Sequence, residues 1–261
     1  MIPAIITARG GSRRIPRKNV KPFCGKSLVE WSIIQAQCSH LITDVFLSTD
    51  DEEIADIGKR CGIEIIWRPD SVAGDITCGP AVVHAIQEIE KRGYEFDRLC
   101  HLLPTLVCRN PNDFDRAIAA YERMKDTVTM VDGKYCPKET IIYEKVTWRD
   151  DGEYCYPVLC NSHHRYYVGN SCVNTLSKSF YINHVLIPSK EKVTDSAITL
   201  RYEIYGWYNP IYHNIGVIET EWYQQFDIDN QGDWELCEWL FEKYILQGRG
   251  ARVYYEYRDS K

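Results

Sequence analysis

Short apolar runs alternate with helix-like stretches through the first half of this chain, and that rhythm narrows the possible folds more than any other feature. Pro3–Thr7 reads as a buried strand, Val45–Ser48 as a second, Ile63–Trp67 as a third and Leu99–Leu103 as a fourth. Helices fall between them. Ser27–Cys38 opens with Ser27 and Glu30 at capping-box spacing and carries Leu28, Trp31, Ile34 and Cys38 on one stripe. Asp51–Arg60 ends near Gly62, and a further helix covers about Pro80–Lys91. Pro111–Met124 follows Asn110 as a candidate cap, with Pro111 suited to a first turn, and Val128–Val131 is one more strand. This βαβα order predicts an α/β fold: a Rossmann-like open, mainly parallel sheet with helices on both faces. Such sheets bind ligands beyond the carboxyl ends of their strands, so the segments that follow the strands are where function is to be sought.

The first of those segments is the most unusual in the chain. It reads ARGGSRRIPRKNVKPFCGKS from Ala8 to Ser27 and holds Arg9, Arg13, Arg14, Arg17, Lys18, Lys21 and Lys26 without a carboxylate. The first 29 residues therefore carry +7, whereas the 261-residue chain sums to −6, which leaves −13 on the remainder. With a pI near 5.7, this is a local basic loop on an acidic body. A nucleic-acid binder shows a domain-wide basic face, so no nucleic-acid partner is expected and a small anionic ligand suits the loop better. Gly10-Gly11 lets the backbone approach a ligand, successive amides can form an anion-binding concavity, and arginines fork onto phosphate oxygens. The expected ligand is a polyphosphate; the alternative is a solvated basic loop. Two other phosphate motifs fail. Gly25-Lys26-Ser27 looks like the end of a Walker A loop, but Val20 stands at its first glycine, and no Gly-x-Gly-x-x-Gly occurs. Arg68, Asp75, Pro104 and Arg109 follow later strands and are placed to face the same cleft.

With 44% apolar and 12% aromatic residues the chain can bury the core of one large domain, residues 1–261. From about 136 to 183 the alternation gives way to short Tyr-, Cys- and charge-rich runs with turn signals at Asp151-Gly152 and Gly169-Asn170, which reads as a β-rich insertion for acceptor binding or dimer contact. The α/β pattern returns with a helix over about Gly232–Tyr244, whose Trp234, Leu236, Trp239 and Leu240 read as packing. Asp227 and Asp229 precede it. At i and i+2 on an extended segment their carboxylates face one side and can address one Mg²⁺; one of them can instead take a proton from an attacking hydroxyl. Capping of the helix by Asp229 or Asn230 is the structural alternative. No stretch approaches the roughly 18–20 apolar residues of a membrane span, and no secretion-signal core precedes Arg9. Eleven cysteines contain no Cys-x-x-Cys pair. A cytoplasmic protein with reduced thiols and no membrane partner is the expectation. Cys160, His163 and His164 lack a fourth metal ligand at typical spacing; His163 and Arg165 are instead candidates to meet an acidic substrate.

The run Ala8-Arg9-Gly10-Gly11-Ser12-Arg13-Arg14-Ile15-Pro16-Arg17-Lys18-Asn19, followed by Gly25-Lys26, resembles the nucleotide-binding signature of the acylneuraminate cytidylyltransferase family, which activates sialic-acid-like sugars. Ser48–Ala55, Arg68-Pro69 with Ala73 and Asp75, and Asp227-Ile228-Asp229 with Asp233-Trp234 continue the likeness, and the N-terminal motif leans toward its pseudaminic-acid branch. The resemblance implies that CTP and a nine-carbon 2-keto sugar acid give the CMP-sugar and pyrophosphate, with Mg²⁺ as cofactor and a homodimer as the assembly. It implies Arg9, Gly10, Gly11, Ser12, Arg13 and Lys18 around the triphosphate, and Asn19 and Lys21 nearer the α-phosphate and ribose. Arg68, Asp75 and Thr77 would select cytosine, Leu103, Pro104, Thr105 and Arg109 would face the acceptor, and Asp227 and Asp229 would hold the metal. Arg9, Lys18 and Asp229 would carry the chemistry.

Two departures mark the acceptor pocket. Where the family commonly has Leu-Gln-Pro-Thr-Ser-Pro-Leu-Arg, this chain reads Leu102-Leu103-Pro104-Thr105-Leu106-Val107-Cys108-Arg109, so an apolar Leu103 replaces a glutamine with two hydrogen-bonding groups. An Asn-Gly-Ala-Ile-Tyr-type strand is replaced by Gly169-Asn170-Ser171-Cys172-Val173-Asn174. Alternative readings are a CTP-dependent transferase for an octulosonic acid or phosphonate, and a catalytically silent nucleotide-binding protein.

Overall fold

A computed structural model of the chain describes residues 1–70, 72, 78–124, 130–131, 134–135, 140–143, 174–177, 214–217 and 221–254. Four strands, β1 (Pro3–Thr7), β2 (Asp44–Thr49), β3 (Glu64–Trp67) and β4 (Arg98–Leu102), lie parallel in the order β3-β2-β1-β4. Three more, β5 (Thr140–Tyr143), β6 (Asn174–Ser177) and β7 (Asn214–Val217), extend the sheet beyond β4 in the order β6-β5-β7, with β6 antiparallel to both neighbours. The predicted open, mainly parallel sheet is therefore what forms. Of the range expected as an insertion, Thr140–Tyr143 and Asn174–Ser177 are strands of this main sheet. Of the strand expected over Val128–Val131, the described residues Met130–Val131 are a strand paired with Lys134–Tyr135.

Residue alternation explains the layering. Ala4, Ile6, Val45, Leu47, Cys100 and Leu102 meet α1 (Leu28–Gln37), α2 (Glu52–Arg60) and α4 (Asp113–Met124) on one face. On the other face α3 (Cys78–Lys91) lies against β1 and β2. Helix α1 is buried on two sides. Val29, Ile33 and Ala36 pack on the sheet, while the stripe read from the sequence, Leu28, Trp31 and Ile34, packs against α5 (Gln231–Leu240) and the wider π-type turns Phe241–Arg249 that continue it. Trp234 and Leu240 are buried there, but Leu236 and Trp239 are exposed, so only half of that predicted packing cluster is core.

The caps follow local chemistry. Ser27 Oγ accepts the Glu30 amide at 3.1 Å, but the Glu30 carboxylate binds Lys26 rather than closing the box. Asp51 caps α2 by accepting from the Ile54 amide at 3.1 Å. Asn110 does not cap α4 as its position suggests. Its side chain donates to Gln224 and accepts from the Tyr223 hydroxyl, and the buried Asp113 carboxylate accepts the Asn110 amide at 2.7 Å instead. Among the described residues no helix is long and apolar enough to cross a membrane.

Candidate active site

The basic loop leaves the carboxyl end of β1 and is fastened to the start of α2. The Ala8 amide donates to Ser48 O and the Gly10 amide to Asp50 Oδ1 at 2.9 Å. A Cβ on Gly10 would overlap the Asp51 carboxylate, which is why a residue without a side chain stands there. Arg17, at φ +56°, pairs with Asp51 and Glu53, and these bonds hold its guanidinium pKa above the usual value. The Asn19 side-chain amide then donates to Arg9 O at 2.9 Å, drawing the two ends of the loop together.

What this frame encloses is a cleft of about 590 Å³ at the carboxyl ends of the parallel strands. The loop contributes Arg9, Ser12, Arg13, Arg14, Lys18 and Asn19; Arg68 enters after β3, Leu103, Pro104 and Thr105 after β4, and Asp229 from the segment before α5. Among the described residues five cations thus converge against one lining carboxylate, a field suited to a polyanion. Arg68 donates through Nε to Ser48 Oγ at 2.9 Å and through its terminal nitrogen to Ser48 O at 2.7 Å; burial lowers its pKa. Asn19 is almost completely buried and its Oδ1 has no partner among the described residues, so the loop offers an acceptor at the cleft.

The carboxylate side is built around Lys18. Its ammonium donates to Ile228 O; burial lowers its pKa, with Asp227 and Asp229 opposing that shift. The Ile228 amide donates to Thr105 O at 3.2 Å, tying the acidic segment to the turn after β4. Asp227 is accessible as a residue, yet the surrounding protein crowds its carboxyl. Desolvation raises its pKa, Asp229 adds to the rise, and a Thr105 hydrogen bond and Lys18 oppose it. Asp229 pairs with Arg14 at 3.0 Å. Asn230 and Asp233 form the helix capping box, and Asp233 also accepts the Asp229 amide at 2.9 Å, so the Asp229 carboxylate is not used in capping. Of the two carboxylates expected at the metal, Asp229 lines the cleft and Asp227 does not; a hard oxygen donor such as Asp229 suits Mg²⁺, which takes one or two carboxylates and completes its shell with water and substrate phosphates. Among the described residues no cluster of three or more metal-ligating side chains occurs, so a metal here would share its shell with the ligand.

Residues 3–142 match a family model described as "Cytidylyltransferase". The chain belongs to that family. It is 37% identical over 115 residues to the pseudaminic acid cytidylyltransferase of Campylobacter jejuni, covering 43% of this chain and 50% of that protein. It is 34% identical over 117 residues to N-acylneuraminate cytidylyltransferase A of Danio rerio, covering 45% of this chain and 26% of that one. The chain thus spans half or less of the length of these relatives. The solved CTP complex of a CMP:2-keto-3-deoxy-manno-octonic acid synthetase superposes with a TM-score of 0.64 over 93% of this chain and 99% of that one, at 16% identity, which speaks for the fold.

Against this family background the residues singled out from sequence divide clearly. Arg9, Ser12, Arg13, Lys18, Asn19, Arg68, Leu103, Pro104, Thr105 and Asp229 meet at one cleft. Gly10 and Gly11 do not line it: Gly10 serves the contact with Asp51, and around Gly11 there is open space. Lys21 turns away, its ammonium lying 4.5 Å from the Trp234 ring centroid. Arg109, expected at the acceptor, is fully buried and donates to Leu103 O at 2.7 Å and Gln35 Oε1 at 2.8 Å, so it supports the turn from beneath. Asp75, Thr77, His163 and Arg165 lie outside the described residues. Sequence reasoning missed Arg14, although it sits in the basic run, and the apolar wall of Val72, Cys78 and Ala81, for which no charge or motif gave a signal.

Proposed function

We propose that this chain transfers CMP from CTP to the anomeric hydroxyl of a sialic-acid-like nonulosonic acid and releases pyrophosphate. The observation that carries the reading is the convergence of Arg9, Arg13, Arg14, Lys18 and Arg68 on a cleft edged by Asp229, in a chain whose relatives are named for cytidylyl transfer to such acids. In this reaction the anomeric oxygen attacks the α-phosphorus, a new P–O bond forms, and the bond to the β-phosphate oxygen breaks with its electron pair leaving on pyrophosphate. The step needs in-line placement and neutralisation of the leaving charge. The loop cations hold the triphosphate and stabilise that charge. The proton of the hydroxyl passes to Asp227 or Asp229, directly or through water. Mg²⁺, held by Asp229 with Asp227, would supply further charge neutralisation at the phosphates.

Leu103 at the acceptor edge presents an apolar surface to the sugar and keeps an octulosonic acid in the panel of acceptors. The family resemblance also supports a homodimer in the cytoplasm, which sedimentation of the purified chain and fractionation of cells check. The decisive test is pyrophosphate release with Mg²⁺, each of four nucleoside triphosphates and a panel of neuraminic, legionaminic, pseudaminic and octulosonic acids. Release with CTP and a nonulosonic acid supports the reading. Binding of CTP with no release across the panel would make the chain a nucleotide-binding protein.

A further inference from the structure

Beneath the cleft lies a polar pair that charge neutralisation does not explain. Thr7, the last residue of β1, lines the cleft with 7% of its surface exposed. Its Oγ1 is 2.9 Å from Nε2 of His101, which is 1% exposed on the neighbouring strand β4. Both side chains lie on the α3 face of the sheet, opposite Ala4, Ile6, Cys100 and Leu102. Replacing both members of a buried polar pair by apolar groups of like shape is close to neutral for stability, so packing alone gives no reason for a hydroxyl and an imidazole here. The pair sits where the strand end opens into the cleft.

The side of the cleft is informative too. Val72, Cys78 and Ala81 stand with Thr7 on the α3 side, whereas Arg13, Arg14, Lys18 and Asp229 come from the loop and the segment before α5. Among the described residues, Thr7 thus shares its side of the cleft with the uncharged Val72, Cys78 and Ala81, and the cations Arg9 and Arg68 border it. Burial, with Arg68 and Arg109 adding to it, pushes the His101 pKa down to about 3, so the ring is neutral at physiological pH and adds no charge for a phosphate. A threonine hydroxyl has one donor and two acceptor sites, and the bond to His101 occupies one of them. The hydroxyl also borders the cleft.

We propose that Thr7 is the hydroxyl that hydrogen-bonds the nucleoside half of the bound nucleotide, and that His101 is the positioning residue that aims it. This rests on the nucleotide reading given above. The test is calorimetric binding of CTP, CMP and inorganic tripolyphosphate to the full chain and to Thr7→Val, Thr7→Ser, His101→Leu and the double variant Thr7→Val/His101→Leu. Thr7→Val and His101→Leu should each weaken CTP and CMP by about tenfold, the scale of one hydrogen bond, while tripolyphosphate binding stays unchanged. Thr7→Ser should bind as the wild type does, and the double variant should lose no more than either single. Unchanged CMP affinity in Thr7→Val, an equal loss for tripolyphosphate, or multiplying losses in the double variant would overturn the proposal. Should His101→Leu fail to fold, the contrast of Thr7→Val with Thr7→Ser decides alone. A wild type that binds CTP while Thr7→Val is indifferent refutes only this inference; a wild type that binds neither nucleotide refutes the functional reading with it.

Discussion

Acidification should unfold this protein in part through one buried side chain. His101 is fully enclosed and its imidazole is held neutral, with a pKa near 3 against an ordinary value of 6.5. The unfolded chain takes up a proton below its own pKa and the folded chain does not, so protons favour the unfolded state and stability falls as pH drops from about 6.5 toward 3. Between pH 7.5 and 5.0 linkage puts that loss at about 2 kcal/mol, a figure set by the unfolded pKa because the folded one lies well below the window. His101→Gln keeps a hydrogen-bonding group for Thr7 but cannot titrate. Urea denaturation followed by far-ultraviolet circular dichroism at the two pH values should therefore show a larger acid loss in the wild type than in His101→Gln, by about 2 kcal/mol. Equal losses in both would refute the placement of a neutral, desolvated imidazole under the cleft.

Other expectations follow from the same contacts. Arg13→Ala should weaken tripolyphosphate binding and flatten its salt dependence, whereas Lys21→Ala, whose ammonium sits on Trp234, should leave the salt slope of calorimetric titrations as it is. Gly10→Ala forces the Asp51 carboxylate off its cap and should cost about 1 kcal/mol in denaturant unfolding, the usual value of a helix cap; combined with Asp51→Ala the two losses should not add. Arg109→Met removes the donor to Leu103 O and Gln35 Oε1, with an expected loss of about 2 kcal/mol for leaving buried acceptors unpaired, again read from denaturation midpoints. Asp229→Asn should retain CTP binding yet slow pyrophosphate release by about a hundredfold, the scale of one lost electrostatic group in phosphoryl chemistry.

How much of this was legible beforehand depended on the type of signal. β1 has the same limits in sequence and structure, and the other three parallel strands differ by about a residue at their ends, because apolar runs bounded by polar turns fix a buried parallel strand. The concentration of positive charge located the cleft, since the loop that follows β1 in such a sheet has one place to go. Division of labour within the loop was not legible. Arg17, Lys21 and Lys26 carry the same charge as Arg13 and Lys18, and only the three-dimensional placement of Asp51, Trp234 and Glu30 assigns them to structural partners. Arg109 looked like a ligand contact by its position after a strand, whereas the backbone folds it under Leu103 and against Gln35 of α1, a residue 74 positions away. The Asn110 cap failed for a related reason. The Asn110 side-chain oxygen, which a cap would offer to a helix amide, accepts instead from the Tyr223 hydroxyl, and its amide nitrogen donates to Gln224, both from the far end of the chain.

The central claim is that the cleft joins CMP to a sugar acid. Its most direct measurement is mass analysis of the products formed from CTP, Mg²⁺ and each nonulosonic acid, with pyrophosphate counted in parallel. One CMP-linked sugar per pyrophosphate, with neither formed in the absence of acceptor, is the predicted result. Pyrophosphate released with free CMP and no conjugate, or no product with any acid despite bound CTP, would contradict it.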